Sequence, residues 1–191
     1  MKLIGVTGGI GSGKSTICRY IESLGHDVYY SDDAAKNLVY TSPLKEDLIA
    51  EFGEETFITR DDVCVYNRQY IADIVFNDKD KLKKISSIFK GPLETHFNEF
   101  KKDKSLVFYE SAIIFEIGIV DRFDKIICTD ADANEIIERI KSRDGFTEEQ
   151  VKLRLDNQLS PEYKLDNSDY TVDTTNLNEA YMVVDAILEQ L

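Results

Sequence analysis

The sequence predicts an α/β fold, a five-stranded parallel sheet covered by helices on both faces, and three observations point to it. Short β-prone runs recur at residues 2–7, 27–31, 105–109, 125–129 and 170–172. Segments of helical periodicity separate them, as crossovers between parallel strands require. The first run passes through a glycine-rich turn directly into a helical pattern. Between the second and third runs the mainly helical stretch 42–102 is too long for one crossover. It reads as an inserted segment that carries a second substrate.

In order, Lys2-Leu3-Ile4-Gly5-Val6-Thr7 is a buried strand, and Ile17, Tyr20, Ile21 and Leu24 form the apolar stripe of the first helix. Ser31-Asp32-Asp33 follows the second strand and leads into helix-prone residues 34–40. Pro43 opens a helix through Phe52 that Gly53 ends. Thr59-Arg60-Asp61-Asp62 looks like a turn, and residues 63–66 are too few to assign. Asn67 can cap a helix through Phe76, and Asp78 or Asp80 another through Phe89. Gly91-Pro92 is expected to break that helix, with Pro92 starting a further one through Phe100. After the third strand comes the apolar run 112–115. Helices are expected at 133–143 and 148–159, the second opened by the capping box Thr147-Glu148-Glu149-Gln150. Ser160-Pro161 opens a short segment, and residues 177–191 read as a closing helix.

At 191 residues the chain fits one medium domain, or a core with an insertion. Its net charge of −13 excludes a general nucleic-acid surface, which needs a basic footprint, but not one small anion in a local pocket. The first residues lack the apolar core of a secretory signal, and no apolar run is long enough to span a bilayer. Cys18, Cys64 and Cys128 lack metal-ligand or redox-motif spacing, so a reducing cytoplasm is the expected location. His26 and His96 are isolated and read as surface or loop residues.

The chemistry concentrates at Gly8-Gly9-Ile10-Gly11-Ser12-Gly13-Lys14-Ser15-Thr16. Gly8, four residues, then Gly13-Lys14-Ser15 is the phosphate-binding loop pattern, placed between strand and helix as that pattern requires. Glycines let successive N–H groups converge on one anion, and the helix dipole adds positive potential there. Lys14 can reach the β/γ-phosphates, and the Ser15 hydroxyl can hold Mg²⁺. A nucleoside triphosphate is the implied ligand. Asp32, just past the second strand, can accept the proton of an attacking hydroxyl or merely cap the next helix. Asp33 beside it reads as solvated. Arg139 and Arg143 share a helix face and suit a lid over a triphosphate, while Glu135 offers Arg139 an ordinary surface bridge instead. Lys152 and Arg154 are weaker lid candidates. Glu110, at a strand end, suits Mg²⁺ or simply solvates that end. Arg68 can meet an anionic substrate or stand as an exposed helix arginine.

Taken together, these stretches resemble the dephospho-CoA kinases over nearly the whole length. The resemblance runs through 4–16, Leu24-Gly25, 28–32, Phe52-Gly53, Asn67-Arg68, Val75-Phe76 and Glu110-Ser111-Ala112-Ile113-Ile114-Phe115-Glu116. It closes with Arg139, Arg143-Asp144, Arg154-Leu155, Gln158 and Ser168-Asp169-Tyr170. It implies a three-layer P-loop kinase core at 1–31 and 103–191 with a lid at about 139–150, and a helical CoA-binding insertion at 32–102. The implied activity, the last step of coenzyme A biosynthesis, passes the ATP γ-phosphoryl group to the ribose 3′-hydroxyl of dephospho-CoA. The family's catalytic acid falls on Asp32, with Lys14, Arg139 and Arg143 completing the catalytic set. Gly9, Gly11, Ser12, Gly13, Lys14, Ser15 and Thr16 would bind ATP, Ser15 the Mg²⁺, and Asp32, Arg68 and Glu110 the acceptor. A monomer or weak homo-oligomer is expected, with no nucleic-acid or membrane partner. Four positions depart from the family pattern: Tyr30 for an aspartate, Gly91 for a histidine, Glu110-Ser111-Ala112 for Asp-x-Pro, and Thr174 for an asparagine. Two alternatives stand beside this reading. One is a kinase for another small acceptor, because the loop does not name the acceptor. The other is a nucleotide-dependent binding protein without turnover.

Overall fold

The computed structural model describes residues 1–75, 78–144 and 158–191. From the N-terminus come β1 (Lys2–Gly8), α1 (Lys14–Ser23), β2 (Asp27–Tyr30), α2 (Ser31–Leu38) and α3 (Leu44–Phe52). Next are β3 (Phe57–Arg60), β4 (Val63–Tyr66), α4 (Arg68–Val75) and α5 (Lys79–Phe100). Then β5 (Leu106–Glu110), β6 (Lys125–Asp130), α6 (Ala133–Asp144), α7 (Pro161–Asp166), β7 (Tyr170–Asp173) and α8 (Leu177–Leu188) follow. These elements form two compact units, Met1–Tyr30 with Asp103–Leu191, and Ser31–Lys102.

The first unit holds the expected five-stranded parallel sheet, in the order β2-β5-β1-β6-β7. Alternation along β1 sorts its side chains between two faces. Ile4 and Val6 join Ile17, Cys18 and Ile21 of α1 and Val184 and Ile187 of α8 in one buried cluster. On the opposite face Gly5 leaves room for Ile114 and Phe123, whose atoms would lie 3.0 and 3.2 Å from any Cβ there. That close approach explains a glycine inside a strand. Tyr29 stacks on Tyr109 at 5.2 Å, and Tyr109 meets Phe123 at 5.6 Å, extending the same layer.

β2 does not lie beside β1, because β5 fills the place between them. The four-residue β2 takes the edge, while Val107, Phe108 and Tyr109 of β5 are buried and suit an inner strand.

The second unit surrounds a core of Leu44, Leu48, Phe52, Ile71 and Val75, against which Ile85, Ile88 and Phe89 pack. Asn67 and Asp78 serve as the expected helix-starting residues. Asn67 Oδ1 accepts from the Tyr70 N–H at 3.3 Å, and Asp78 Oδ1 from Asp80 and Lys81 N–H at 2.9 and 3.1 Å. The turn expected at 59–62 falls on Asp61-Asp62, and the helix break expected at Gly91-Pro92 does not occur. Residues 57–66 form an antiparallel hairpin, with Asp61 and Asp62 at φ 47° and 61°, the pair of positive values a tight two-residue turn needs. The helix also runs unbroken through Gly91-Pro92 as α5. Proline's fixed φ is helical; what it loses is one N–H bond, and the apolar packing of Ile85, Ile88 and Phe89 on the preceding turns outweighs that loss. Phe97 is buried and Phe89 packs on the core.

Candidate active site

The carboxyl ends of parallel strands are where such sheets bind ligands. There β1 ends at Gly8 and the chain turns into α1. Gly8, Gly11 and Gly13 have φ of 143°, 80° and 83°, a region that side chains rarely adopt. Space is equally tight, since a Cβ on Gly8 would lie 2.4 Å from the Thr129 carbonyl oxygen. The Ser12 N–H donates to Gly9 O at 3.2 Å, and Gly13 O accepts from Thr16 and Ile17 N–H at 2.9 and 3.1 Å. The leading N–H groups of α1 have no carbonyl one turn earlier, and the dipole makes that end positive. Loop and helix start together form an anion cradle.

Lys14 is buried, and its Nζ donates to Gly8 O at 3.0 Å and Gly9 O at 2.9 Å, folding the ammonium over the loop. Ser15 and Thr16 follow in the first turn of α1, half-buried. A Cβ on Gly9 would come nearest, among the described residues, to Gln158 Oε1, at 3.8 Å. Among the described residues, Thr129, Gln158 and Thr174 brace the loop from outside the motif. Ser12 Oγ and Thr129 Oγ1 share a buried hydrogen bond at 2.7 Å. Gln158 Oε1 accepts from the Ile10 N–H at 3.1 Å. Thr174 Oγ1 donates to Ser12 O at 3.0 Å. Sequence reasoning missed Thr129 altogether and gave Gln158 and Thr174 no part in the loop. For Thr129 and Thr174 the one sequence signal is position, a small hydroxyl at the ends of β6 and β7; Gln158 has no such signal.

Arg139 lies on α6 against this edge. Its Nη1 donates to Thr174 Oγ1 at 2.9 Å and reaches Gly11 O at 3.4 Å, and its Nη2 donates to Thr174 O at 2.8 Å. Its Nε stands 3.6 Å from Glu135 Oε2, so the surface bridge forms as well as the contact with the loop. Arg143 falls on α6, but its side chain lies outside the described residues, as do Lys152 and Arg154. Glu110 is buried at the end of β5, level with Val6 and Tyr30. It shares the face of Phe108, toward α1, and its charge helps burial raise the Cys18 thiol while Lys14 opposes it. Tyr30 donates its hydroxyl to Glu22 Oε2 at 2.7 Å, and burial and that bond raise its pKa. At the neighbouring strand end burial raises the Asp130 carboxyl.

Within the second unit, Asp32 is exposed in the first turn of α2, and Asp33 pairs with Lys36 on the surface. A cavity of about 390 Å³ brings Asp32 together with Arg68, the first residue of α4, over an apolar lining of Tyr66, Ile71, Val75 and Phe89. Burial pushes the Tyr66 phenol up to about 12, and Arg68 partly opposes it. An acid, a base and an aromatic wall suit a polar, partly anionic small molecule. Among the described residues no group of three or more His, Cys, Asp or Glu is placed to hold a metal ion. A hard cation held by one hydroxyl, one carboxylate and substrate oxygens needs no such group, and Ser15 and Glu110 fit that donor chemistry.

Comparison with known proteins agrees with this geometry. The dephospho-CoA kinase family model matches residues 2–179. A dephospho-CoA kinase of Fusobacterium nucleatum is 29% identical over 192 residues, covering 99% of this chain and 98% of the relative. A solved Thermus thermophilus structure superposes with a TM-score of 0.87 at 27% identity, covering 100% of this chain and 97% of the other. The dephospho-CoA kinase of Campylobacter jejuni gives 0.65 at 26% identity, with the same coverage.

Proposed function

The chain belongs to the dephospho-CoA kinase family, and we propose how its residues divide the transfer of the ATP γ-phosphoryl group to the ribose 3′-hydroxyl of dephospho-CoA. It is an ATP-dependent kinase, acting on a small-molecule acceptor in coenzyme A biosynthesis. The observation that carries the assignment of roles is the loop at 8–16, with its three positive-φ glycines and its folded-back lysine.

ATP lies along Gly9, Gly11, Ser12, Gly13, Lys14, Ser15 and Thr16, its phosphates on the backbone amides. Ser15, with Glu110 behind it, would hold Mg²⁺, which when bound offsets the charge of the β- and γ-phosphate oxygens. The acceptor belongs to Ser31–Lys102, where Arg68 meets an anionic group of dephospho-CoA and the aromatic wall its apolar parts. Asp32 orients the 3′-hydroxyl and takes its proton as the oxygen–phosphorus bond forms and the bond to the β,γ-bridging oxygen breaks, releasing ADP. Lys14, Arg139 and Arg143 offset charge on the transferring group. A reducing cytoplasm fits the three free cysteines, and no helix among the described residues is long and apolar enough to cross a membrane.

ADP release measured with dephospho-CoA, AMP, shikimate and gluconate tests the acceptor. Turnover with dephospho-CoA alone is expected; turnover with another acceptor and none with dephospho-CoA rejects the assignment. Asp32→Asn tests the base. It should lower kcat by about 10²–10⁴-fold while ATP still binds, the range for a general base. An unchanged kcat removes Asp32 from the mechanism.

A further inference from the structure

We propose that Thr174 is a positioning residue for the phosphate loop, holding the Ser12 carbonyl outward so that the next amide faces the triphosphate. The inference rests on the reading that this loop takes ATP. Thr174 follows β7 and is fully buried, its own N–H tied to Asp130 O at 2.8 Å. That tie fixes the residue to the sheet. From there it touches Ser12 and Gly13 directly and reaches Gly11 through Arg139. Its hydroxyl donates to Ser12 O at 3.0 Å. The same oxygen accepts from Arg139 Nη1 at 2.9 Å, and that nitrogen reaches on to Gly11 O at 3.4 Å. Its side chain presses on Gly13, where a Cβ would lie 2.6 Å from Oγ1 and 2.9 Å from the threonine Cβ.

A trans peptide is planar, so its C=O and N–H point in opposite directions. Fixing Ser12 O on the Thr174 side therefore turns the Gly13 N–H the other way, into the concave side of the loop. The following peptide is set likewise, because Gly13 O is taken by the Thr16 and Ile17 amides and the Lys14 N–H points away from them. Arg139 orders the hydroxyl: as a pure donor to Thr174 Oγ1 it leaves that oxygen's proton for Ser12 O. The Arg139 contact with Thr174 O at 2.8 Å holds the arginine in place for this task. Asparagine, the residue the family pattern leads one to expect here, carries its polar atoms one bond farther from the backbone. Threonine fits the space against Gly13 and still supplies the donor.

The test compares Thr174→Val, which keeps the shape and removes the hydroxyl, with Thr174→Ser, which keeps the hydroxyl. Direct ATP binding by calorimetry and the KM values for ATP and dephospho-CoA are the readouts. Thr174→Val should raise the ATP Kd and KM by roughly 3–10-fold, the size of one lost hydrogen bond. The KM for dephospho-CoA should stay within about twofold, and Thr174→Ser should bind ATP like the parent. Unchanged ATP binding in Thr174→Val, with or without a lowered Tm, overturns the proposal, as does an equal loss in Thr174→Ser. Should Thr174→Val not fold, Thr174→Ala against Thr174→Ser carries the same comparison. Because ATP binding is measured without an acceptor, a parent protein that binds ATP but leaves dephospho-CoA unphosphorylated rejects the acceptor assignment and leaves this inference standing or falling on its own.

Discussion

Lys14 folds its charge back onto the loop that precedes it. Its buried ammonium donates to the Gly8 and Gly9 carbonyls, holding positive charge at the point where phosphate charge is to be met. Lys14→Met keeps the apolar stem and removes the charge. We expect kcat to fall by about 10²–10³-fold, the usual loss when one preorganised electrostatic group is removed. Steady-state kinetics with dephospho-CoA check this, and a fall of less than about tenfold would move the charge-offsetting role to other residues. Lys14 and the loop glycines were legible in the sequence because one contiguous motif carries them. Thr129, Gln158 and Thr174 were not. Each reaches the loop from more than 100 positions away, and Thr129 and Thr174 do so from strand ends whose lateral order no single sequence records. Arg139 was legible as a cation near the site, but its engagement with Thr174 depends on that same lateral order.

Among the elements, α5 tests how far local signals decide structure. Gly91-Pro92 is the strongest helix-stop signal in the chain, yet the helix spans Lys79–Phe100. Its amino-terminal half is held by Ile85, Ile88 and Phe89 on the core, and its carboxyl-terminal half by buried Phe97. In the hairpin of β3 and β4 the turn at Asp61-Asp62 was legible and its four-residue strands were not, since Asp61-Asp62 takes a conformation that Asn-Gly usually announces. Helices with ordinary capping residues, such as those begun by Asn67 and Asp78, were legible because the cap itself is local. If packing overrides the proline, removing it should relieve a standing cost. An interior proline costs a helix about 3 kcal/mol, and about 1 kcal/mol of that is offset by a stiffer unfolded chain. Pro92→Ala is therefore expected to stabilise the protein by about 2 kcal/mol in urea unfolding. A loss of stability instead would show that the half-buried ring makes contacts worth more than the missing hydrogen bond.

Across the whole chain, the α/β class was legible from five β-prone runs and their spacing, whereas the order β2-β5-β1-β6-β7 was not, because periodicity carries no information on lateral neighbours. The first unit divides its labour between the two ends of that sheet. The carboxyl ends carry the phosphate loop, and the amino ends are clamped by acids. Asp124 Oδ2 accepts from the Leu3 N–H at 2.7 Å, and Asp169 accepts from the Ile126 N–H at 2.8 Å and from Lys125 Nζ at 2.7 Å. Burial alone would raise the Asp169 carboxyl, but the Lys125 and Ile126 hydrogen bonds outweigh it and hold its pKa below the ordinary carboxylate value. A carboxyl whose folded-state pKa is depressed adds stability that is present above its unfolded value, near 3.9, and lost as pH falls through the folded one. Asp169→Asn removes that contribution while keeping one oxygen to accept from Ile126. Its melting temperature should lie below the parent's at pH 7. The gap should narrow once pH drops below about 4 and close at more acid values, where the parent's own carboxyl is protonated. Thermal melts between neutral and strongly acid pH check this. A gap of constant size across that range would mean that the acid clamps β6 to β7 by shape alone and that its charge adds nothing.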